Sequence, residues 1–262
     1  MRKKKKDGKN TTPAIIFFSL IICAILASVL INALLIIKSS KFGSGPTFSI
    51  FISNNKQNEI VTFHKDSNSI SVLKIDERVG DVHKFAEVPL DAVYYSSNLD
   101  LGKSVAGLTS DVFFKITTSQ NNLNTYDGLR IFLMAKTVSP KDIKTKEIVR
   151  NLQESQRDEI FTSIFQDSRI SEEGKTVQII NNTDEQGVGN RFSRIISNIG
   201  GNVILVSTGE EKAKSSIYSS EDSYSEKRLS EVLNFPIVKS KFGGIADITV
   251  IIGEDYNSLS KY

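Results

Sequence analysis

The sequence predicts an α+β protein with one N-terminal transmembrane helix, a small α+β domain built on antiparallel hairpins, and a C-terminal βαββαβ sandwich domain. Three observations lead there. Residues 14–37 form one apolar run. Short alternating runs separated by Asn-rich turns occupy 48–75. The stretch VQIINNTDEQGVGNRFSRIISNIGGNVILV, residues 177–206, reads as strand, glycine-containing loop, helix and strand.

The apolar run AIIFFSLIICAILASVLINALLII has only Ser19, Ser28 and Asn32 as polar residues. At about 1.5 Å per residue it reaches roughly 36 Å, enough to cross a hydrocarbon core with some tilt. A cleavable signal peptide has a shorter apolar region, about 7–15 residues, and a core helix seldom stays apolar on every side, so an uncleaved anchor is expected. Arg2, Lys3 to Lys6 and Lys9 precede it and only Lys38 and Lys41 follow closely. That bias puts a basic tail, 1–13, in the cytoplasm and the bulk of the chain outside, in a single-pass cell-membrane protein. Residues 1–41 hold eight Lys or Arg against one acid, leaving 25 basic and 29 acidic residues beyond them. The outer part is therefore mildly acidic, which argues against a nucleic-acid partner. Cys23, the only cysteine, lies inside the span and reads as a packing thiol, so neither disulfides nor thiolate metal sites are expected outside.

A Ser/Gly/Pro linker, 38–47, leads to three strand-like runs, Phe48 to Ser53, Ile60 to His64 and Ile70 to Ile75. Leu99 to Leu108 is read as helical, Val112 to Thr117 as extended, and NNLNTYDGLRIFLMAKTV as a helix ending before Pro140. Residues 48–140 make the first domain. Residues 141–174 are charged, with scattered apolar positions, and are read as a helical connector. In the last domain, 175–258, KTVQIINNT is a strand. Val188, Phe192, Ile195, Ile196 and Ile199 fall at helical spacing, and the glycines at 200 and 201 end that helix. NVILVST and KSSIYS are further strands, Ser223 to Leu233 is a helix, and ADITVIIG is a strand apolar enough for a central position.

The loop with Gly187 and Gly189 raises the question of a phosphate cradle. A dinucleotide fingerprint needs a third glycine where Phe192 stands, and no Gly-Lys-Ser/Thr is present. Free amides at the helix start, helped by Arg191 or Arg194, would still suit an anion. The competing reading, that the glycines shape the turn and the arginines are a solvated face, is preferred. His64 and His83 have no metal-ligand spacing, and Asp76, Glu77 and Asp81 read as a charged turn as readily as a cation site. No metal site is assigned.

The succession VQIINNT, GVGNRFSRIISNIGGNVI, SSIYS and ADITVIIGEDY resembles the C-terminal domain of LytR-CpsA-Psr cell-envelope proteins. Asn181-Asn182-Thr183 stands where that family has Asn-Gly-Thr, and Gly253-Glu254-Asp255-Tyr256 matches its closing motif. The resemblance covers about residues 175–258 and implies a module that binds an envelope component. Asn182, Thr183, Gly187, Gly189 and Arg191 are its ligand-binding candidates.

The segment NEIVTFHKDSNSISVLKIDERV is similar to the opening hairpin of the family's phosphotransferase domain, which moves polyprenyl-pyrophosphate-linked glycopolymers onto peptidoglycan. Ile75-Asp76-Glu77-Arg78 departs from the usual Ile-Pro-Arg-Asp, and Arg78 and Arg130 are the only arginines between 42 and 140. A degenerate, non-catalytic relative is therefore expected, with cell-wall glycan or an envelope protein as partner and no cofactor. The alternative is a working phosphotransferase that uses Arg78, Asp76, Arg130 and Mg²⁺. A homodimer formed through the span or the connector is a further expectation.

Overall fold

The computed structural model describes residues 12–43, 45–54, 56–75, 89–148, 153–209, 213–240 and 243–259. The chain divides into residues 1–40 and 41–262. The first unit contains helix α1, Thr12–Lys38, long and apolar enough to cross a membrane, with a mean hydropathy of 3.0 over Ile15–Lys38.

In the second unit, strands β1 (Thr47–Ser53), β2 (Asn58–His64) and β3 (Ser69–Ile75) form an antiparallel meander. The period-two pattern of each strand gives the sheet two apolar faces. β4 (Ala92–Tyr95) adds parallel to β1, and β5 (Gln120–Asn121) adds antiparallel to β4. β6 (Ile143–Ile148) adds parallel to β3, which gives the order β5-β4-β1-β2-β3-β6.

One face, with Phe48, Ile50, Val61, Phe63, Ile70 and Val72, is covered by helices α2 (Val105–Lys115) and α3 (Thr125–Thr137) through Leu108, Val112, Ile131 and Ala135. Ser104 caps α2, and Asn124 and Asp127 close a capping box on α3. The opposite face, with Phe51, Ile60 and Leu73, packs on Phe161, Ile164 and Phe165 of α4 (Glu154–Phe165).

That same core continues into the C-terminal half. After the short helix α5 (Ser168–Glu173) come β7 (Thr176–Asn181), α6 (Val188–Asn198) and β8 (Asn202–Thr208). β9 (Ser216–Ser219), α7 (Tyr224–Leu233), β10 (Ile237–Lys239), β11 (Ile248–Ile252) and the terminal turn of helix α8 (Tyr256–Leu259) follow. The second sheet has the order β10-β9-β11-β7-β8. β11 is central, parallel to β7 and antiparallel to β9, and all five of its residues are buried. Phe192 of α6 stacks at 5.6 Å on Phe235, two residues beyond the end of α7.

The described residues from 41 on are thus layered as helices, sheet, helices, sheet around shared apolar contacts; the first sheet takes β6 from beyond the expected 48–140, and the strands of the second lie within 175–258. Four stretches differ from expectation. Residues 99–104 are not helical: α2 begins only at Val105, after its cap Ser104. Residues 112–117 are not extended: Leu108 and Val112, four apart, put that stretch on the buried stripe of α2. Residues 143–148 begin the connector as strand β6, because β3 offers a free edge and the run Ile-Lys-Thr-Lys-Glu-Ile suits a solvated edge strand. The last sheet has a fifth strand, β10, three residues long and outside the range of periodicity.

Candidate functional site

Asn182, Thr183 and Gly187 lie in the turn between β7 and α6, and Gly189 and Arg191 lie in the first turn of α6 that follows it. Asn181, buried at the strand end, ties that loop down. Its Nδ2 donates to the Glu185 carbonyl (2.9 Å), and its Oδ1 accepts from the Thr183 amide (3.1 Å) and hydroxyl (2.8 Å). The Glu185 amide donates to Thr183 Oγ1 at 3.2 Å, the Asp184 amide to Glu254 Oε1 at 3.0 Å, and the Asn182 amide to the Ile252 carbonyl at 2.8 Å. The amides of 182–185 are thereby committed to the protein's own acceptors. Tyr256 donates to Glu185 Oε2 at 2.7 Å; burial and that carboxylate raise its pKa, and Arg191 works against the rise.

The two glycines have separate duties. Gly187 takes φ 85° at the helix N-cap, a left-handed conformation that favours glycine. Gly189 sits where a Cβ would come 2.8 Å from Cγ1 of Val206, so it permits close approach of α6 to β8. The Gly-x-Gly pair thus has a role in the turn and in packing, and Asp184, Glu185 and Glu254 set negative charge near it.

A groove of about 230 Å³ opens elsewhere on the second sheet, lined by Lys175, Tyr218, Glu221, Asp247, Thr249 and neighbouring serines. Lys175 pairs with Glu221 at 3.0 Å, with side chains 26% and 74% exposed. Asp247 Oδ2 accepts from the Thr176 amide (2.9 Å) and hydroxyl (2.8 Å), which holds its pKa below the usual carboxylate value. A cation, carboxylates, hydroxyls and a phenol ring are thus gathered on one surface.

A third cluster lies at the end of the first sheet. Arg130 Nη1 donates to the Phe42 carbonyl at 3.2 Å, and its guanidinium lies 4.8 Å from the Phe42 ring centroid. Lys65 donates to the Gly43 carbonyl at 2.6 Å, and burial lowers its pKa to about 8. Arg228 of α7 is almost wholly buried. It lies 3.4 Å from Asp91, 3.6 Å from Asp167, 3.3 Å from Glu231 and 3.4 Å from the Thr47 hydroxyl. Tyr224 completes the cluster by donating to Asp167 Oδ2 at 2.8 Å. Burial works against the Arg228 charge, but Asp91, Tyr224, Glu231 and Asp167 outweigh it and raise its pKa. This is a clamp between the two halves.

Asp76, Glu77, Arg78, Asp81 and His83 fall outside the described residues. His64 bonds Ser71 Oγ at 3.0 Å, and burial, then Lys144, lowers its pKa. Among the described residues no group of three His, Cys, Asp or Glu is placed to hold a metal ion. Sequence reasoning missed the groove and the clamp. The clamp left a signal: Arg228 sits four residues after Tyr224 and beside Leu229 on the buried stripe of α7. The groove left none, because its residues are scattered between 175 and 249.

No family model matches the chain, and no curated protein matches it. Among solved structures, the transcriptional regulator yvhJ from Bacillus subtilis is similar at 12% identity over 41% of this chain and 84% of that one. Its TM-score of 0.33 is too low to carry an argument about fold or function.

Proposed function

We propose that this chain is a single-pass protein of the bacterial cell envelope, related to the LytR-CpsA-Psr proteins, whose outer part binds a cell-wall glycan without covalent chemistry. The observation that carries this reading is the groove of Lys175, Tyr218, Glu221, Asp247 and Thr249. Donors and acceptors beside an aromatic ring suit a ligand dense in hydroxyl groups, where polar contacts fix orientation and the ring covers a sugar face. The apolar, exposed α1 supports anchoring, and the basic residues before it support a cytoplasmic N-terminus.

The transferase alternative, with Mg²⁺, would use Arg78, Asp76 and Arg130. Arg130 is engaged by the Phe42 carbonyl and ring, so the binding reading is preferred. The test is calorimetric titration of the full chain in detergent micelles with soluble peptidoglycan glycan strands. Saturable binding is expected, weakened about tenfold or more by Tyr218→Ala and by Glu221→Gln with melting unchanged. Equal binding by the variants, or none by folded protein, overturns the reading. Mg²⁺-dependent binding of a polyprenyl pyrophosphate in its place would transfer the assignment to the alternative.

A further inference from the structure

A sheet edge presents unpaired amides and carbonyls, and proteins protect such edges by shortness, charge, proline or cover. Among the described residues, three of the four edges follow that rule. β5 has two residues; β6 carries Lys144, Lys146 and Glu147; β10 has three residues and ends in Lys239, which pairs with Asp222 and Glu226 at 2.6 Å each. β8 is the exception. It runs seven residues, NVILVST, with no charge and no proline, and among the described strands it pairs only with β7. Its outward backbone groups have no partner among the described residues.

Val203 and Val206 pack on the core, whereas Ile204 and Leu205 are 43% and 38% exposed. Val203 stands opposite Val177 and Leu205 opposite Gln178, so Ile204 is the extra residue of a bulge and both apolar side chains remain in solvent.

We propose that β8 pairs with β8 of a second copy of this chain, antiparallel, so that two five-stranded sheets become one of ten strands. An arriving strand must bring its own unpaired edge, and of the described edges only β8 is long and uncharged. A neutral strand facing itself sets no like charges opposite one another, and Ile204 and Leu205 meet apolar residues across the pair. Antiparallel pairing of identical strands is a two-fold, self-complementary contact, the commonest symmetry of soluble oligomers.

The test uses the full chain with Cys23→Ser, in detergent micelles and in nanodiscs, with single cysteines placed in turn at Val203, Ile204, Leu205, Val206 and Ser207. In a two-fold antiparallel pair one residue faces its own copy, so disulfide-linked dimer should peak at one position and fall on both sides. In the Cys23→Ser chain without added cysteines, Leu205→Lys should weaken dimerisation by sedimentation about tenfold or more, with melting unchanged. Monomer at every concentration overturns the proposal, as does cross-linking equal along the strand. A dimer indifferent to Leu205→Lys also overturns it and places the contact elsewhere, with the span as first alternative.

Discussion

Replacing Arg228 with alanine should be among the most damaging single changes in the second unit. The Arg228 side chain is 6% exposed and Asp167 1%, so the variant leaves Asp167 buried and Asp91, at 14%, nearly so, without their common cation. The Tyr224 hydroxyl and the Ser49 and Arg169 amides still bond these carboxylates and temper the loss. Breaking one partner out of a buried pair costs about 3–5 kcal/mol. At about 2–4 °C per kcal/mol for a unit of this size, melting should fall by roughly 6–20 °C.

The pH dependence gives a second reading of the same network. Burial already raises the Asp167 pKa, and Tyr224 and Arg228 hold it down, so the variant raises it further. An acid with a raised folded pKa contributes stability that is fully present below its unfolded pKa and is lost as pH rises through the folded value. The gap between wild type and Arg228→Ala should therefore narrow as pH falls from about 7 toward 5. Thermal melts of the full chain across that range are the assay. A drop under about 2 °C, or a gap that widens in acid, would refute the reasoning.

Lys65 should show the opposite slope. Burial lowers its pKa to about 8 from 10.5, so stability should rise as pH climbs through that interval; Lys65→Met should flatten the rise, seen in melts at alkaline pH. Gly189→Ala should cost about 1–3 kcal/mol by chemical denaturation, since its Cβ would meet Val206 at 2.8 Å. Gly174→Ala, at φ 61° with open space around it, should lose only the roughly 1–2 kcal/mol of left-handed backbone strain, and no measurable loss at Gly189 would contradict the packing account.

Elements whose periodicity comes from burial were legible in the sequence. Val188, Phe192, Ile195, Ile196 and Ile199 are each 3% exposed or less, and the three opening strands pair as an antiparallel meander. The strand 143–148 was not legible, because its register is supplied by β3, about seventy residues earlier. The same limit hid the groove and most of the Arg228 network, whose members Thr47, Asp91, Asp167 and Arg228 meet only after folding. At the Gly-x-Gly turn the sequence supplied both readings, and the structure adds a conformational duty for Gly187 and a packing duty for Gly189. Hydrogen bonds from Asn181 and Thr183, two short polar side chains, occupy the loop, and no pattern of glycines reports that.

The shared face between the sheets has an evolutionary consequence. Phe51, Ile60 and Leu73 are covered by Phe161, Ile164 and Phe165, which in turn rest on the layer of Phe192 and Leu229. Neither half owns its interior, so recombination that moved one half to another gene would deliver a sheet with a bare greasy side. The two halves are bound to be inherited, synthesised and degraded together, and a break in the connector is a lesion of the whole unit.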